Sequence, residues 1–255
     1  MNNLNLFYKY YDVLFESKNY AEEVASVLKI AAEAWPYPVE KVLEIGCGTG
    51  SHTLELAKRV NEVTALDTDK TMIHLAQSKI KGKRAKNIEF FHGPIEQLTQ
   101  KPDFDLTLAL FNVVTYIPNE QAIASFLQSV RRHLKKGGGF IFDCWNGTAA
   151  IKNPPVHKRI EKAIGSQRIV CNLTPQTDFK KKITTLTYSL VVFEQANGKT
   201  NSDEFIFDQK LWTPLELQNQ LKKADFKLLN ICQPFQPQAK ATDDDWKIMF
   251  VCEAA

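Results

Sequence analysis

The sequence is short of the groups that build metal centres and disulfide frameworks. Its five cysteines, Cys47, Cys144, Cys171, Cys232 and Cys252, make no C-x-x-C pair, and its five histidines show no H-E-x-x-H spacing. A zinc ribbon, a zincin site or a dithiol redox motif is therefore not expected. Three of the cysteines fall in apolar runs, as small buried hydrophobes in a reducing compartment do. No segment approaches the roughly 20 apolar residues of a membrane-spanning helix. The opening Met1-Asn2-Asn3-Leu4-Asn5-Leu6 lacks the basic and apolar regions of a secretion signal, so a cytoplasmic protein without membrane attachment is expected. Surplus charge is also small. Against 29 Asp and Glu stand 32 Lys and Arg, a net +3, too little to indicate a nucleic-acid partner. Internal repeats and low-complexity tracts are missing as well. With 44% hydrophobic and 24% charged residues over 255 positions, the chain has room for one large α/β domain or a core plus a lobe.

What is present concentrates at one place. Val42-Leu43-Glu44-Ile45 reads as a strand covered on both faces. It runs into Gly46-Cys47-Gly48-Thr49-Gly50-Ser51. Glycines at alternate positions allow positive φ and a close approach of main chain to a ligand, and a helix starting near Ser51 offers free N–H groups. After a second apolar run, Val63-Thr64-Ala65-Leu66, comes Asp67, 21 residues beyond Gly46. In doubly wound nucleotide-binding folds an acid at about this distance accepts hydrogen bonds from ribose hydroxyls. The dinucleotide fingerprint G-x-G-x-x-G is not met, because Ser51 follows Gly50.

With Glu44 ahead of the glycines, the motif E-x-G-x-G-x-G, completed by Asp67, Thr68, Asp69 and Met72, resembles that of class I S-adenosylmethionine-dependent methyltransferases. The resemblance is strongest over 40–145, and it is nearest to bacterial small-molecule members such as the amino-sugar N-methyltransferases. It implies S-adenosylmethionine as cofactor and S-adenosylhomocysteine as product. It places Glu44, Gly46, Cys47, Gly48, Gly50, Asp67, Thr68, Met72, Gly93, Ile95 and Phe111 at the cofactor. Where many relatives read G-D after the third strand, this chain reads Gly93-Pro94-Ile95. Pro94 cannot accept from the adenine amino group, which leaves the Ile95 backbone or Glu96 for that end.

Strands are expected at 41–45, 62–66, 87–91, 104–110 and 138–143, and helices at 20–34, 51–59, 70–79 and 120–134. Such alternation implies a parallel sheet whose carboxyl edge collects the ligand loops. Leu134-Lys135-Lys136-Gly137-Gly138-Gly139 reads as a helix C-terminal stop. Past Gly147, β-branched and aromatic residues at 168–173, 183–194 and 203–212, with Asn197-Gly198 as a turn, suggest an antiparallel sheet. A helix at 214–223 and apolar runs at 226–232 and 246–252 close the chain. The expected fold is α/β: a doubly wound, Rossmann-like, seven-stranded methyltransferase sheet with a small inserted antiparallel β lobe. Its expected divisions are a helical segment at 1–40 covering the site, a core at 41–147, the lobe at 148–213, and last core elements at 214–255.

Methyl transfer is an in-line displacement that rests on positioning and a dry site. An amine acceptor must in addition shed a proton, so a carboxylate, Tyr or His nearby would help. Three segments offer candidates. Tyr8-Lys9-Tyr10-Tyr11-Asp12, with Lys18-Asn19-Tyr20, is similar to the Y-D and K-x-Y segments of small-molecule methyltransferases. Phe111-Asn112-Val113-Val114-Thr115-Tyr116 resembles the family's loop after strand four. Phe142-Asp143-Cys144-Trp145-Asn146-Gly147 lies at the end of strand five. Tyr11, Tyr116 and Asp143 are the candidate catalytic residues, and Tyr8, Asn112 and Trp145 the candidate acceptor contacts.

Other readings weigh less. Asn153-Pro154-Pro155-Val156 lacks the aromatic and the position of a base-flipping [ND]-P-P-[YF] motif, so a nucleic-acid partner is not expected. The basic run Lys79-Ile80-Lys81-Gly82-Lys83-Arg84-Ala85-Lys86 and Lys180-Lys181-Lys182 read as a solvated helix end and a hairpin tip, and Asp243-Asp244-Asp245 as a turn without metal-loop spacing. A small-molecule acceptor and a monomer or homodimer are expected. The alternatives are an RNA or protein methyltransferase and a catalytically silent binder of the cofactor.

Overall fold

Apolar runs bounded by glycine and polar turns, alternating with amphipathic helices, produce a mixed sheet with helices on both faces. The computed structural model describes residues 5–81, 85–99, 103–196 and 198–255. Asn197 of the expected turn, and 82–84 of the basic run, lie outside the described residues. Two helices lead, α1 (Leu6–Leu14) and α2 (Tyr20–Ala34). The core follows as β1 (Lys41–Ile45), α3 (Ser51–Leu56), β2 (Glu62–Asp67), α4 (Lys70–Ile80), β3 (Ile88–His92), β4 (Phe104–Ala109), α5 (Glu120–His133) and β5 (Leu134–Trp145). Next come α6 (Gly147–Lys152) and four long strands, β6 (Lys158–Ile164), β7 (Gln167–Asp178), β8 (Ile183–Glu194) and β9 (Lys199–Lys210). The chain ends with α7 (Pro214–Lys223), β10 (Phe226–Gln233), β11 (Gln236–Lys240) and β12 (Lys247–Ala254).

The main sheet has eight strands in the order β11-β10-β12-β5-β4-β1-β2-β3, one more than the seven expected. The additional strand, β11, forms an edge hairpin on β10. Its sequence, Gln-Pro-Gln-Ala-Lys, is polar and carries a proline, a composition tolerated at edges but not diagnostic of a strand. Strands β1 to β5 pair in parallel, and β12 runs antiparallel between β5 and β10. The glycines at 137–139 do not end a helix. Leu134 already pairs with Phe104, the register shifts, and Gly139 pairs with Leu106, so the turn is a bulge inside β5. Gly137 takes φ +75°, and at Gly139 a Cβ would stand 2.5 Å from the Trp35 ring. That close approach seats Trp35 on the sheet. Phe140, Phe142, Phe226 and Phe250 fill the β5–β12 side, with Phe142 and Phe250 stacked at 4.8 Å.

The four strands β6-β7-β8-β9 make a separate antiparallel sheet. Its inner face carries Ile169, Cys171, Leu190 and Val192, which pack with Phe7, Tyr10 and Leu14 of α1 in one apolar cluster. Phe7 stacks on Phe205 at 4.9 Å and meets Tyr188 edge-on at 5.2 Å. Asn5 caps α1, accepting from the Phe7 N–H. The lobe thus supplies the apolar surface that a nine-residue helix needs in order to persist.

Truncating that anchor is expected to loosen α1 before the core. Phe7→Ala removes a buried aromatic side chain, a change that costs about 3–5 kcal/mol, and amide exchange over 6–14 should speed up by about a hundredfold or more. Exchange in β1 should stay unchanged. Equal acceleration in both segments would show that α1 is not a separately held element.

Candidate functional site

Between the carboxyl edge of the main sheet, α1 and the lobe lies a cavity of about 780 Å³. Its first wall is the glycine loop. Gly46, Gly48 and Gly50 all adopt positive φ, at +70°, +54° and +75°. A Cβ on Gly46 would collide with Val113 at 2.5 Å, whereas one on Gly48 would meet nothing nearer than the Tyr11 hydroxyl at 3.9 Å. The first glycine therefore packs the loop on the segment after β4, and the second leaves main chain bare toward the cavity. Gly50 closes on Ala76 of α4. Asp67, at the end of β2, accepts from the Gly48 N–H at 2.8 Å and the Asp69 N–H at 2.9 Å. Burial raises its pKa, against the pull of those amides.

The expected cofactor residues divide between lining and support. Gly46, Gly48, Asp67, Thr68, Met72, Ile95 and Phe111 face the cavity. Glu44 does not. It is buried beneath the loop, accepts from Thr53 Oγ1 at 2.6 Å, and has its pKa pushed up by desolvation to about 7. Cys47 is also buried, its thiol near the Gly48 carbonyl, and the Gly93 N–H donates to the Asp67 carbonyl. These three, with Gly50, shape the loop from behind. Pro94, Ile95 and Glu96 line the cavity together, so the alternatives named for Pro94 stand beside it.

Helix α1 closes a second wall. Tyr8 and Tyr11 line the cavity, and the Tyr8 hydroxyl donates to Asp69. Asp12 accepts from Thr49 Oγ1 at 2.6 Å and pairs with Lys79 at 2.7 Å. Lys79 also donates to Thr49 and Ser51, so this lysine of the basic run is engaged at the glycine loop rather than solvated. Burial, with smaller contributions from nearby phenols and Asp67, holds the Tyr11 pKa well above its ordinary value.

The segment after β4 bears the strain. Phe111 and Asn112 both sit at positive φ, 69° and 65°, uncommon for side chains with a Cβ. Asp143 holds this turn, its Oδ1 accepting the Phe111 N–H at 2.6 Å. Asp143 is buried behind Phe111 and does not line the cavity. The direct acceptor contact expected of it therefore gives way to a positioning role, because the strand turns its carboxyl toward main chain. Asn112 faces the cavity and is buried, with no partner for Oδ1 among the described residues. Tyr116 is 48% exposed, and its free surface opens into the cavity beside Gln209. Desolvation nevertheless raises its pKa to about 12. Trp145 lines the far end.

Several lining residues were missed from sequence: Phe15, Leu186 and Tyr188 of β8, Phe207 and Gln209 of β9, Lys158 and Lys247. For the lobe strands the i, i+2 spacing of Leu186 with Tyr188 and of Phe207 with Gln209 was an available signal. The two lysines carried none.

Residues 42–138 match the family model described as a methyltransferase domain. A putative methyltransferase of Geobacillus sp. (strain WCH70) is 27% identical over 134 residues, 52% of this chain and 54% of that protein. A dTDP-3-amino-3,4,6-trideoxy-alpha-D-glucopyranose N,N-dimethyltransferase of Streptomyces venezuelae is 22% identical over 137 residues, 53% and 55% of the two chains. The chain thus spans about half the length of the curated relatives it matches. Among solved structures, an S-adenosylmethionine-dependent methyltransferase of Clostridium acetobutylicum ATCC 824 superposes with TM-score 0.81 at 16% identity, covering 97% of each chain. An amino pentose methyltransferase of Micromonospora echinaspora, solved with the cofactor bound, does so with TM-score 0.77 at 16% identity, covering 96% of each. The fold is that of these enzymes. No described helix is long and apolar enough to cross a membrane.

Glu44 makes a pH-dependent expectation. Its pKa is higher folded than unfolded, so the fold holds the proton. The stability this contributes is complete below about pH 4.5 and declines as pH rises through about 7. Ligand-free protein should lose on the order of 3 kcal/mol of unfolding free energy from this group across that window. Urea titrations of Glu44→Gln, which keeps an acceptor for Thr53, should show that slope flattened; an unchanged slope would assign the dependence elsewhere.

Proposed function

Taking residues 42–138 as a methyltransferase domain, we propose that the protein transfers a methyl group from S-adenosylmethionine to an amine or hydroxyl of a small acceptor, a sugar or related metabolite. The observation that carries the reading is the single cavity with two unlike ends. Bare glycine main chain, an acid on the next strand, Tyr8 and Tyr11 lie at one end, Tyr116, Tyr188 and the lobe strands at the other. Its volume falls within the roughly 300–1,000 Å³ of small-molecule sites. The amino-sugar enzymes among the relatives and solved structures support the acceptor class.

The bound cofactor supplies a methyl group on a positively charged sulfur that leaves as a neutral thioether. The residues fit that group. Gly48 offers main chain with nothing where a Cβ would be, and the lone pairs of Asp67 that the two amides leave free would accept from ribose hydroxyls. Met72 and Ile95 wall the apolar space for adenine. At the other end Tyr116, Tyr188 and Gln209 would hold an acceptor amine or hydroxyl in line with the methyl group that the bound cofactor would supply. Alignment of this kind supplies on the order of 7–11 kcal/mol.

The phenols of Tyr11 and Tyr116 stay protonated at neutral pH, since both pKa values are raised by burial. They serve as hydrogen-bonding walls, not as bases. Asn112 lines the cavity with a side-chain carbonyl oxygen that has no partner among the described residues; it is buried, so it would accept an N–H or O–H of the acceptor once the amide turns toward the cavity. No histidine faces this cavity among the described residues, so an amine acceptor would reach the site already neutral.

Titration calorimetry should show S-adenosylmethionine and S-adenosylhomocysteine binding at micromolar concentrations, and NAD not. Absence of binding at about millimolar cofactor would overturn the reading. With an amine acceptor, kcat/KM should rise about tenfold per pH unit up to the acceptor's own pKa, without an enzyme inflection between about pH 6 and 9. Tyr116→Phe and Asn112→Ala should lower turnover about tenfold or more while cofactor affinity holds. Binding without turnover across amino and hydroxy sugars would indicate a silent binder.

A further inference from the structure

Behind Tyr116, two acceptor oxygens compete for one proton. Thr115 Oγ1 stands 2.6 Å from the Asn112 main-chain oxygen and 2.8 Å from Gln209 Oε1. Thr115 is wholly buried, and Asn112 and Gln209 are buried with it. An oxygen pair at either distance needs a proton between its members, and a hydroxyl has only one to give.

The main chain decides where it goes. The Asn112 oxygen is fixed by its peptide, can only accept, and already receives the Thr115 N–H at 3.0 Å. A glutamine amide is free to turn over, because exchanging its oxygen and its NH2 leaves its shape nearly unchanged. The Thr115 proton therefore belongs to Asn112, and Gln209 turns its NH2 to donate to Thr115 Oγ1. This carries Oε1 to the other side of the amide, where its hydrogen-bonding neighbour is the Tyr116 hydroxyl. That hydroxyl donates to Oε1. Phe207, edge-on to the Tyr116 ring at 5.9 Å, props the ring, and the lone pairs of the phenol oxygen are left for the cavity that Tyr116 lines.

We propose that Gln209 is a positioning residue: pinned by Thr115, it receives the Tyr116 O–H, so that the phenol oxygen receives a hydrogen bond from the methyl acceptor and donates none to its lone pair. The proposal rests on the methyltransferase reading and adds a direction to its hydrogen bonds. A phenol donating to the nucleophile would occupy the lone pair that must react. A phenol receiving an N–H or O–H leaves that lone pair free, and its bond strengthens as the nucleophile gives up electron density and its proton becomes more acidic. The site therefore takes hydroxyls and primary or secondary amines, which still carry such a proton, and disfavours tertiary amines, which do not.

The test needs no known acceptor. Calorimetry with S-adenosylhomocysteine on the full chain tests the methyltransferase reading by itself. In the unsubstituted ligand-free protein, nuclear Overhauser contacts of the Gln209 NH2 protons should reach the Thr115 methyl group; contacts to the Tyr116 ring alone would overturn the proposal. Difluorotyrosine is then placed at Tyr116, where its more acidic phenol titrates under conditions the fold survives, and its ionisation is followed by absorbance. Because Gln209 accepts from the protonated phenol, Gln209→Met should lower the phenol pKa by about one unit, a tenfold rise in its dissociation constant. Thr115→Val frees the amide to turn back and donate, and should lower it as well. A rise or no change in either variant with a thermal midpoint close to the parent's would overturn the proposal, since a glutamine that only joined lobe to core would leave the phenol unmoved.

Discussion

The cavity exists because α1 belongs to two structures at once. One face of this helix, Phe7, Tyr10 and Leu14, is buried in the antiparallel sheet. The other carries Tyr8 and Asp12 to Asp69, Thr49 and Lys79 around the glycine loop. The energy lies mainly on the apolar side. Asp12 is half exposed, and ion pairs in that setting contribute little. Aromatic burial of the kind Phe7 shows contributes several times more. The polar contacts set where α1 sits over the loop, and the apolar contacts make it stay. A wall assembled this way joins the lobe to the core beside the direct contacts Thr115–Gln209 and Lys182–Glu216.

A second constraint is local. Two consecutive residues at positive φ follow β4, and each such residue other than glycine costs on the order of 1–3 kcal/mol where the region is sparsely populated. The turn persists because Asp143 anchors Phe111, Thr115 Oγ1 donates to the Asn112 carbonyl at 2.6 Å, and Val113 is locked beneath Gly46. The result is a cavity-lining asparagine whose side-chain oxygen is buried and without a partner among the described residues. The strain therefore resides where the wall must present a polar group that folding alone would have satisfied.

How much of this was legible follows from the range of the interactions. The strand-glycine-helix-strand-acid unit is local, so Gly46, Gly48 and Asp67 could be placed from spacing, and the helices at 20–34 and 214–223 from periodicity. Strand β11 was not legible, since Gln-Pro-Gln-Ala-Lys has neither alternation nor β-branched residues. Asp143 was placed at the right end of β5, but sequence does not tell which partner a carboxyl meets there, and main chain met it first. Met72 and Tyr116 face the cavity, whereas Glu44 and Gly50 reach it only through the loop they brace. Lys158 and Lys247 stand alone at strand starts, with no motif spacing around them. Only the crossing of β12 beside β5 and the folding back of the lobe unite them.

That union bears on how such a cavity sorts its ligands. Its acids Asp67, Asp69 and Glu96 cluster around the glycine loop and two exposed lysines, Lys158 and Lys247, stand at the opposite rim, so the wall carries a field along its length as well as a shape. A ligand with positive charge is drawn toward Asp67, Asp69 and Glu96, and one with negative charge toward Lys158 and Lys247. Two small molecules of opposite polarity would be ordered end to end, with their reactive parts meeting near Asn112 and Tyr116. Tyrosine and asparagine suit that midpoint: neither carries charge at neutral pH, so neither competes with the field that does the sorting, and both can still direct a hydrogen bond.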